Sequence, residues 1–231
     1  MNKDEIMRFV SKHRTLAHTS IKLCNKLLFH NKNCGGGTLE YHFALLKGCK
    51  IVNKGLNNRI IIGEFSRLNH CSFHFFGNNN TVVIDEFCSC NQADFWIEDD
   101  GNTIHLGKHT CLAGKIQLAA MEGTKIEIGE DCLFSSNIAM RTGDSHSLTQ
   151  CDSGKRINPS KHIVVGEHVW VGTNVTILKG THVADHSVVG ACSLLCKEYT
   201  KQNCVLVGVP AKEVKYNVDW KTERIKQYGD S

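Results

Sequence analysis

Apolar residues return along this chain at a fixed interval, each followed by Gly or Asp and then by Glu or Lys. Ile62-Gly63-Glu64, Ile84-Asp85-Glu86, Leu106-Gly107-Lys108 and Ile128-Gly129-Glu130 stand 22 residues apart, and the signature comes back as Val165-Gly166-Glu167. From there the apolar position recurs every six residues, at Val165, Val171, Ile177, Val183, Val189 and Leu195. A constant short period marks a solenoid, and a period of six predicts a β-helix whose coil has three six-residue faces.

Two inward columns follow from the register. One holds Ile62, Ile84, Leu106, Ile128 and Val165; the other, two residues earlier, holds Ile60, Val82, Ile104, Ile126 and Ile163. Four residues after the first column come Ser66, Cys88, Thr110, Cys132 and Val169, small enough for a tight corner. Three faces need 18 residues, so each 22-residue coil carries four more. The turn-forming runs Gly77–Asn80, Asp99–Asn102 and Met121–Thr124 supply them. His74 falls where an inward apolar residue is expected.

The next corner in this series reads Gly143-Asp144-Ser145-His146, and there the lattice breaks. The following coil starts 37 residues after Ile128 instead of 22, which places an insertion at about residues 147–161. Long insertions in a rigid solenoid lie on one face and commonly carry its binding function. The Asp, Ser and His at the root of this one are the best active-site candidate in the chain.

The ends read differently. From Asp4 to His30 apolar residues recur at helical intervals among lysines and histidines, which predicts one or two amphipathic helices. They would cover the open end of the solenoid, with contact at a membrane surface as the other use for their apolar stripe. The expected organisation is a helical segment over 1–34, a β-helix over 35–210, and a helix or tail over 211–231.

Composition narrows the classes. No stretch reaches 18 consecutive apolar residues, and the N-terminus lacks the basic-then-apolar layout of a signal peptide, so a cytoplasmic protein is expected. A net charge of +4 without a basic run interleaved with aromatics points away from nucleic acid. Twelve cysteines would suit a disulfide framework. However, Cys88, Cys132 and Cys192 fall in the repeat lattice, and Cys88-Ser89-Cys90 lacks CxxC spacing, so free thiols are expected.

From about Ile126 to Val214 the chain resembles the hexapeptide-repeat acyltransferases, in the branch that O-acetylates sugars of capsules, O-antigens and similar glycans. The resemblance is carried by Asp144-Ser145-His146-Ser147, His168-Val169-Trp170-Val171-Gly172, Ile177-Leu178-Lys179-Gly180 and Gly208-Val209-Pro210-Ala211-Lys212. It implies an all-β, left-handed parallel β-helix, a homotrimer with its site between neighbouring prisms, acetyl-CoA as donor and no metal.

On that resemblance His146 would take the proton of an acceptor hydroxyl as it attacks the thioester. Asp144 would accept a hydrogen bond from the other ring nitrogen and fix its tautomer. Ser145 reads as a turn residue, because no Gly-x-Ser-x-Gly elbow surrounds it. Gly172, Gly190, Ala191 and Ser193 would leave a groove open for the pantetheine arm, walled by Trp170. Pro210 would pack near adenine, and Lys197 or Lys212 would meet the phosphates. Rival readings are a serine or nucleotide-linked amino-sugar acetyltransferase, a zinc carbonic anhydrase using His105, His109 and His146, and a β-helix without catalytic function.

Overall fold

The computed structural model of the chain describes residues 14–28 and 31–226. Three sheets, named A, B and C in the order the chain reaches them, hold eight, eight and nine strands. They form the walls of a triangular prism. One coil runs Lys50–Asn53 in A, Arg59–Ile62 in B and Arg67–Asn69 in C, and then re-enters A at Ser72–Phe75. All pairings between coils are parallel, and the two expected columns are in register: Ile60, Val82, Ile104, Ile126, Ile163 and Ile62, Ile84, Leu106, Ile128, Val165. Every member of both columns is buried, as is the six-residue series from Val165 to Leu195.

The small residues at the corner between B and C do more than fill space. Ser66 Oγ donates to Asp85 O at 2.8 Å and accepts from Cys88 N at 3.0 Å, while Thr110 repeats this with Gly129 O and Cys132 N. A buried corner leaves backbone groups unpaired, and a hydroxyl serves as both donor and acceptor there. The four-residue bulges lie at the corner between A and B, where a second ladder runs through buried asparagines. The amides of Asn80, Asn102 and Thr124 donate to the side-chain oxygens of Asn58, Asn80 and Asn102 at 2.8–2.9 Å.

His74 does not face inward. Phe73 and Phe75 fill the core on either side of it, and the Phe73 ring stacks on Phe95 at 4.6 Å. In this coil Phe73 follows the inward Leu68 by five residues instead of six, so His74 stands on the outer face, whereas Leu118, Met140 and Ile177 keep the six-residue phase. Cys192 also departs from expectation: it is exposed at a corner with φ of 59°. All twelve cysteines are free thiols.

The helix Arg14–Leu23, here α1, continues into a wider turn over Cys24–Leu28. The rest of the helical segment expected from Asp4 to His30 lies outside the described residues. Asn25, at the end of this segment, is buried on the first coil, where its side chain pairs with Ala44 O and Leu46 N. Asn31 does the same for Leu46 O and Cys49 N, so two side-chain amides take the place of a missing strand. At the other end no helix forms among the described residues. Cys204–Gly208 and Ala211–Tyr216 make an antiparallel hairpin, and an irregular tail follows to residue 226. No helix among the described residues is long and apolar enough to cross a membrane.

Candidate active site

The insertion leaves the corner between A and B just after the strand Ile138–Arg141 and returns to B at Ile163–Val165. Its neck is closed by Lys161 N donating to Thr142 O at 2.8 Å. Beyond the neck it is an ordered excursion: Thr149 and Arg156 form an antiparallel bridge, and Ile157 N donates to Leu148 O at 2.8 Å.

Asn158 holds the excursion to its root. It is 6% exposed, and its Nδ2 donates to Asp144 Oδ2 and to His146 O, both at 2.8 Å. Its Oδ1 accepts from Leu148 N at 2.8 Å and from Arg156 Nε at 3.2 Å. Arg156 also pairs with Glu122 of the previous coil at 2.6 Å, and Glu122 accepts from Ser160 N at 3.0 Å. The Lys179 ammonium, one coil further on, donates to Asp144 Oδ2 and to Asn158 O. Lys179 and Asn158 hold the Asp144 carboxyl below its ordinary value, while the Ser160 amide, then Arg156, do the same for Glu122.

His146 is exposed on this root, and its ring makes no hydrogen bond to a described residue. The expected bond from Asp144 to the imidazole is not made; Asp144 Oδ2 instead accepts from Lys179 and Asn158. Ser145 sits at φ of 58°, a turn conformation, with its hydroxyl 3.8 Å from Met121 Sδ.

The residues assigned to the donor divide in two. Ala191, Lys197, Pro210 and Lys212 are exposed on the last coils, and Trp170 is 39% exposed, its Nε1 3.4 Å from Ser135 Oγ. Gly172 and Gly190 serve close packing instead of an open groove. A Cβ on Gly172 would lie 2.8 Å from Ala191 N, and one on Gly190 would lie 2.5 Å from Val207 Cγ1. Ser193 is 2% exposed and accepts from Gly208 N at 3.2 Å, which ties the hairpin to the coil below.

Asn158, Lys179 and the Glu122–Arg156 pair were not singled out by sequence reasoning. The Asn158-Pro159 dipeptide was the one local signal, a turn initiator inside a polar run. Trp220 was also missed. It packs beneath the tail, stacked on His168 at 4.5 Å and donating to His168 O at 2.8 Å. The zinc trio of His105, His109 and His146 is not assembled: His105 pairs with Asp85 and His109 with Asp131. Among the described residues the group with ligand atoms within 4.8 Å of one another is His168, His186 and Asp219.

Residues 162–197 match the bacterial transferase hexapeptide repeat (six repeats). The chain is 35% identical to the polysialic acid O-acetyltransferase of Neisseria meningitidis over 113 residues, 49% of this chain and 52% of that one. It is 29% identical over 126 residues to the polysialic acid O-acetyltransferase of Escherichia coli O1:K1, 54% of this chain and 40% of that one. It thus spans about half the length of the curated relatives it matches. The crystal structure of the polysialic acid O-acetyltransferase OatWY superposes with a TM-score of 0.80 at 29% identity, covering 86% of this chain and 94% of that one. Residues 162–197 thus carry the hexapeptide repeat, and the chain has the left-handed β-helix fold of the sugar O-acetyltransferases it resembles.

Proposed function

We propose that this protein is an O-acetyltransferase that moves the acetyl group of acetyl-CoA onto a sugar hydroxyl of a surface glycan or its precursor, with His146 as general base. The likeness to OatWY carries this reading, since it runs through nearly the whole of that chain at a TM-score of 0.80. The exposed, unbonded His146 ring at the broken corner supplies the chemistry.

An alcohol is a poor nucleophile near neutral pH, and an imidazole titrates in the right range to take its proton. His146 removes the acceptor proton as the oxygen attacks the thioester carbonyl. The new C–O bond forms, the C–S bond breaks, and the imidazolium returns the proton to the leaving sulfur, which departs as free CoA thiol. Transfer is direct, with no acyl-enzyme step. Asp144 acts one step removed: with Lys179 and Asn158 it fixes the segment on which His146 rides.

The donor lies on the regular C-terminal coils. Trp170 walls the thioester end, Ala191 borders the pantetheine, Pro210 lies near adenine, and Lys197 and Lys212 meet the phosphates. In a homotrimer His146 of one subunit faces the donor groove of the next, and acetyl-CoA places the reaction in the cytoplasm. The test is thiol release from acetyl-CoA across a panel of sugar acceptors. His146→Ala is expected to lower kcat by about 10²–10⁴ while the affinity for acetyl-CoA stays unchanged. A mutant that turns over at the wild-type rate would remove His146 from the mechanism.

A further inference from the structure

The outer face of sheet A carries a feature that the chemistry at His146 does not use. Residues of the outward parity stack in register there, in the row Val52, His74, Trp96, Ala119, Arg141 and Leu178, with Ala119 buried between Trp96 and Arg141. The row ends at the root of the insertion, since Arg141 immediately precedes residues 142–146 and Leu178 precedes Lys179. At its far end three rings cluster on the surface. His74 lies 5.2 Å from Trp96, and Phe76 lies 4.7 Å from Trp96, with Phe76 37% exposed. Trp96 Nε1 is fixed by Glu98 Oε1 at 2.7 Å.

A parallel row of planar polar groups runs beside the rings. Asp94 accepts from Ser72 Oγ at 2.6 Å and lies 3.4 Å from Gln117 Nε2, and Gln117 in turn accepts from Arg141 at 2.8 Å. Coils are spaced by about 4.8 Å, so Trp96 stands about 10 Å from Arg141 along the solenoid axis. The aromatic platform and the polar row form one track that leads to the candidate active site.

We propose that this track docks the acceptor, and that the acceptor segment it holds is an uncharged pyranose chain. This rests on the reading of the protein as a sugar acetyltransferase and names the kind of glycan that site serves. The C–H face of a pyranose ring packs against an aromatic face, and its hydroxyls pair with carboxylate, amide and guanidinium groups. Both kinds of group are present side by side, spaced by the coil repeat. Charge decides between glycans. Asp94, Glu98, Asp99 and Asp100 lie around the rings, opposed by His74, 3.6 Å from Asp94, and by Lys54, 5.1 Å over Phe76. A polyanion such as polysialic acid would lay its carboxylates against these four, whereas a neutral chain meets no repulsion. The basic groups Arg141, Arg156 and Lys179 sit only at the catalytic end.

The test is calorimetric titration of the full-length protein, without acetyl-CoA, with chitooligosaccharides and maltooligosaccharides of one to six rings and with polysialic acid fragments of matched length. Affinity for a neutral series is expected to rise with length and to fall about tenfold in Trp96→Ala. Trp96→Tyr should recover most of it, with the melting temperature unchanged in both variants. In thiol-release assays Trp96→Ala should raise KM for a long neutral acceptor much more than KM for a monosaccharide. Preference for polysialic acid fragments, affinity that ignores length, or a Trp96→Ala protein that sediments as a smaller species would overturn the proposal. The last result would assign the face to contact between copies. Length-dependent binding without thiol release on any acceptor would leave the track standing and sink the acetyltransferase reading.

Discussion

Asn158→Ala separates the inserted excursion from the solenoid without touching the core. Four hydrogen bonds go with the amide: two donated to Asp144 and His146 O, two accepted from Leu148 N and Arg156 Nε. A hydrogen bond contributes about 0.5–1.5 kcal/mol net. The partners here are all exposed and can turn to water, so the lower part of that range applies. The sum is about 2–3 kcal/mol of local order, a factor of about 10² in the opening equilibrium. Amide exchange over residues 144–158 should therefore quicken by about that factor. The columns from Ile60 to Ile163 should keep their protection, and the melting temperature should hold within about 2 °C. Thiol release should fall about ten- to a hundredfold, mostly in kcat, because His146 loses the bond that fixes its backbone. The reasoning fails if exchange is unchanged, or if the whole solenoid melts earlier, since either result would mean that Asn158 is not a local tether.

Acid should loosen the same region first. Asp144 and Glu122 titrate below their ordinary values of 3.8 and 4.5, so the fold binds their protons more weakly than the unfolded chain does. Their contribution is full above those values and drains as pH falls through the lowered ones, so exchange of residues 144–161 should be unchanged from pH 7 to 5 and rise below about pH 4. Loosening that begins near pH 6 would contradict this assignment. Thiol labelling at pH 7 should modify Cys34, Cys151, Cys192 and Cys196 quickly, whereas burial pushes Cys88 and Cys132 up to about 12 and protects them until the protein unfolds. Mass spectrometry of peptides labelled in the native state checks it, and early modification of Cys88 or Cys132 would place those corners at the surface.

The coil was legible in the sequence because β-helix corners and inward columns repeat, and a repeat is read by counting. Ile62 and Ile84 could each belong to many folds, whereas their spacing belongs to one. The broken corner was legible for the same reason. Where the period carries no information, reading failed. His74 stood where an inward residue was expected because it lies six residues after Leu68, but the corner between sheets C and A is one residue short in that coil, so Phe73 takes the inward place. The Asp144 contact was misjudged because Lys179 reaches it across 35 residues, a distance set by the coil and invisible to local pattern. Gly172 and Gly190 look like open space in a sequence, yet a Cβ on either would come within 2.5–2.8 Å of the next coil. Small residues in a solenoid mark where coils touch as readily as where a ligand enters.

The narrow range of separations between paired residues also bears on how this molecule folds. Neighbouring coils join positions 16 to 23 apart, and only the coils that flank the insertion must join positions 37 apart. Contacts that are local in sequence form quickly, and each finished coil is a template for the next, so growth can zip outward from any point. Closing the one long interval costs only about 0.5 kcal/mol more than closing a regular coil, because chain-closure entropy rises with the logarithm of length. Lengthening that segment further would slow or destabilise the fold very little. The stretch that roots the candidate active site is thus the one that folding constrains least, and it is free to change while the coils beneath it stay as they are.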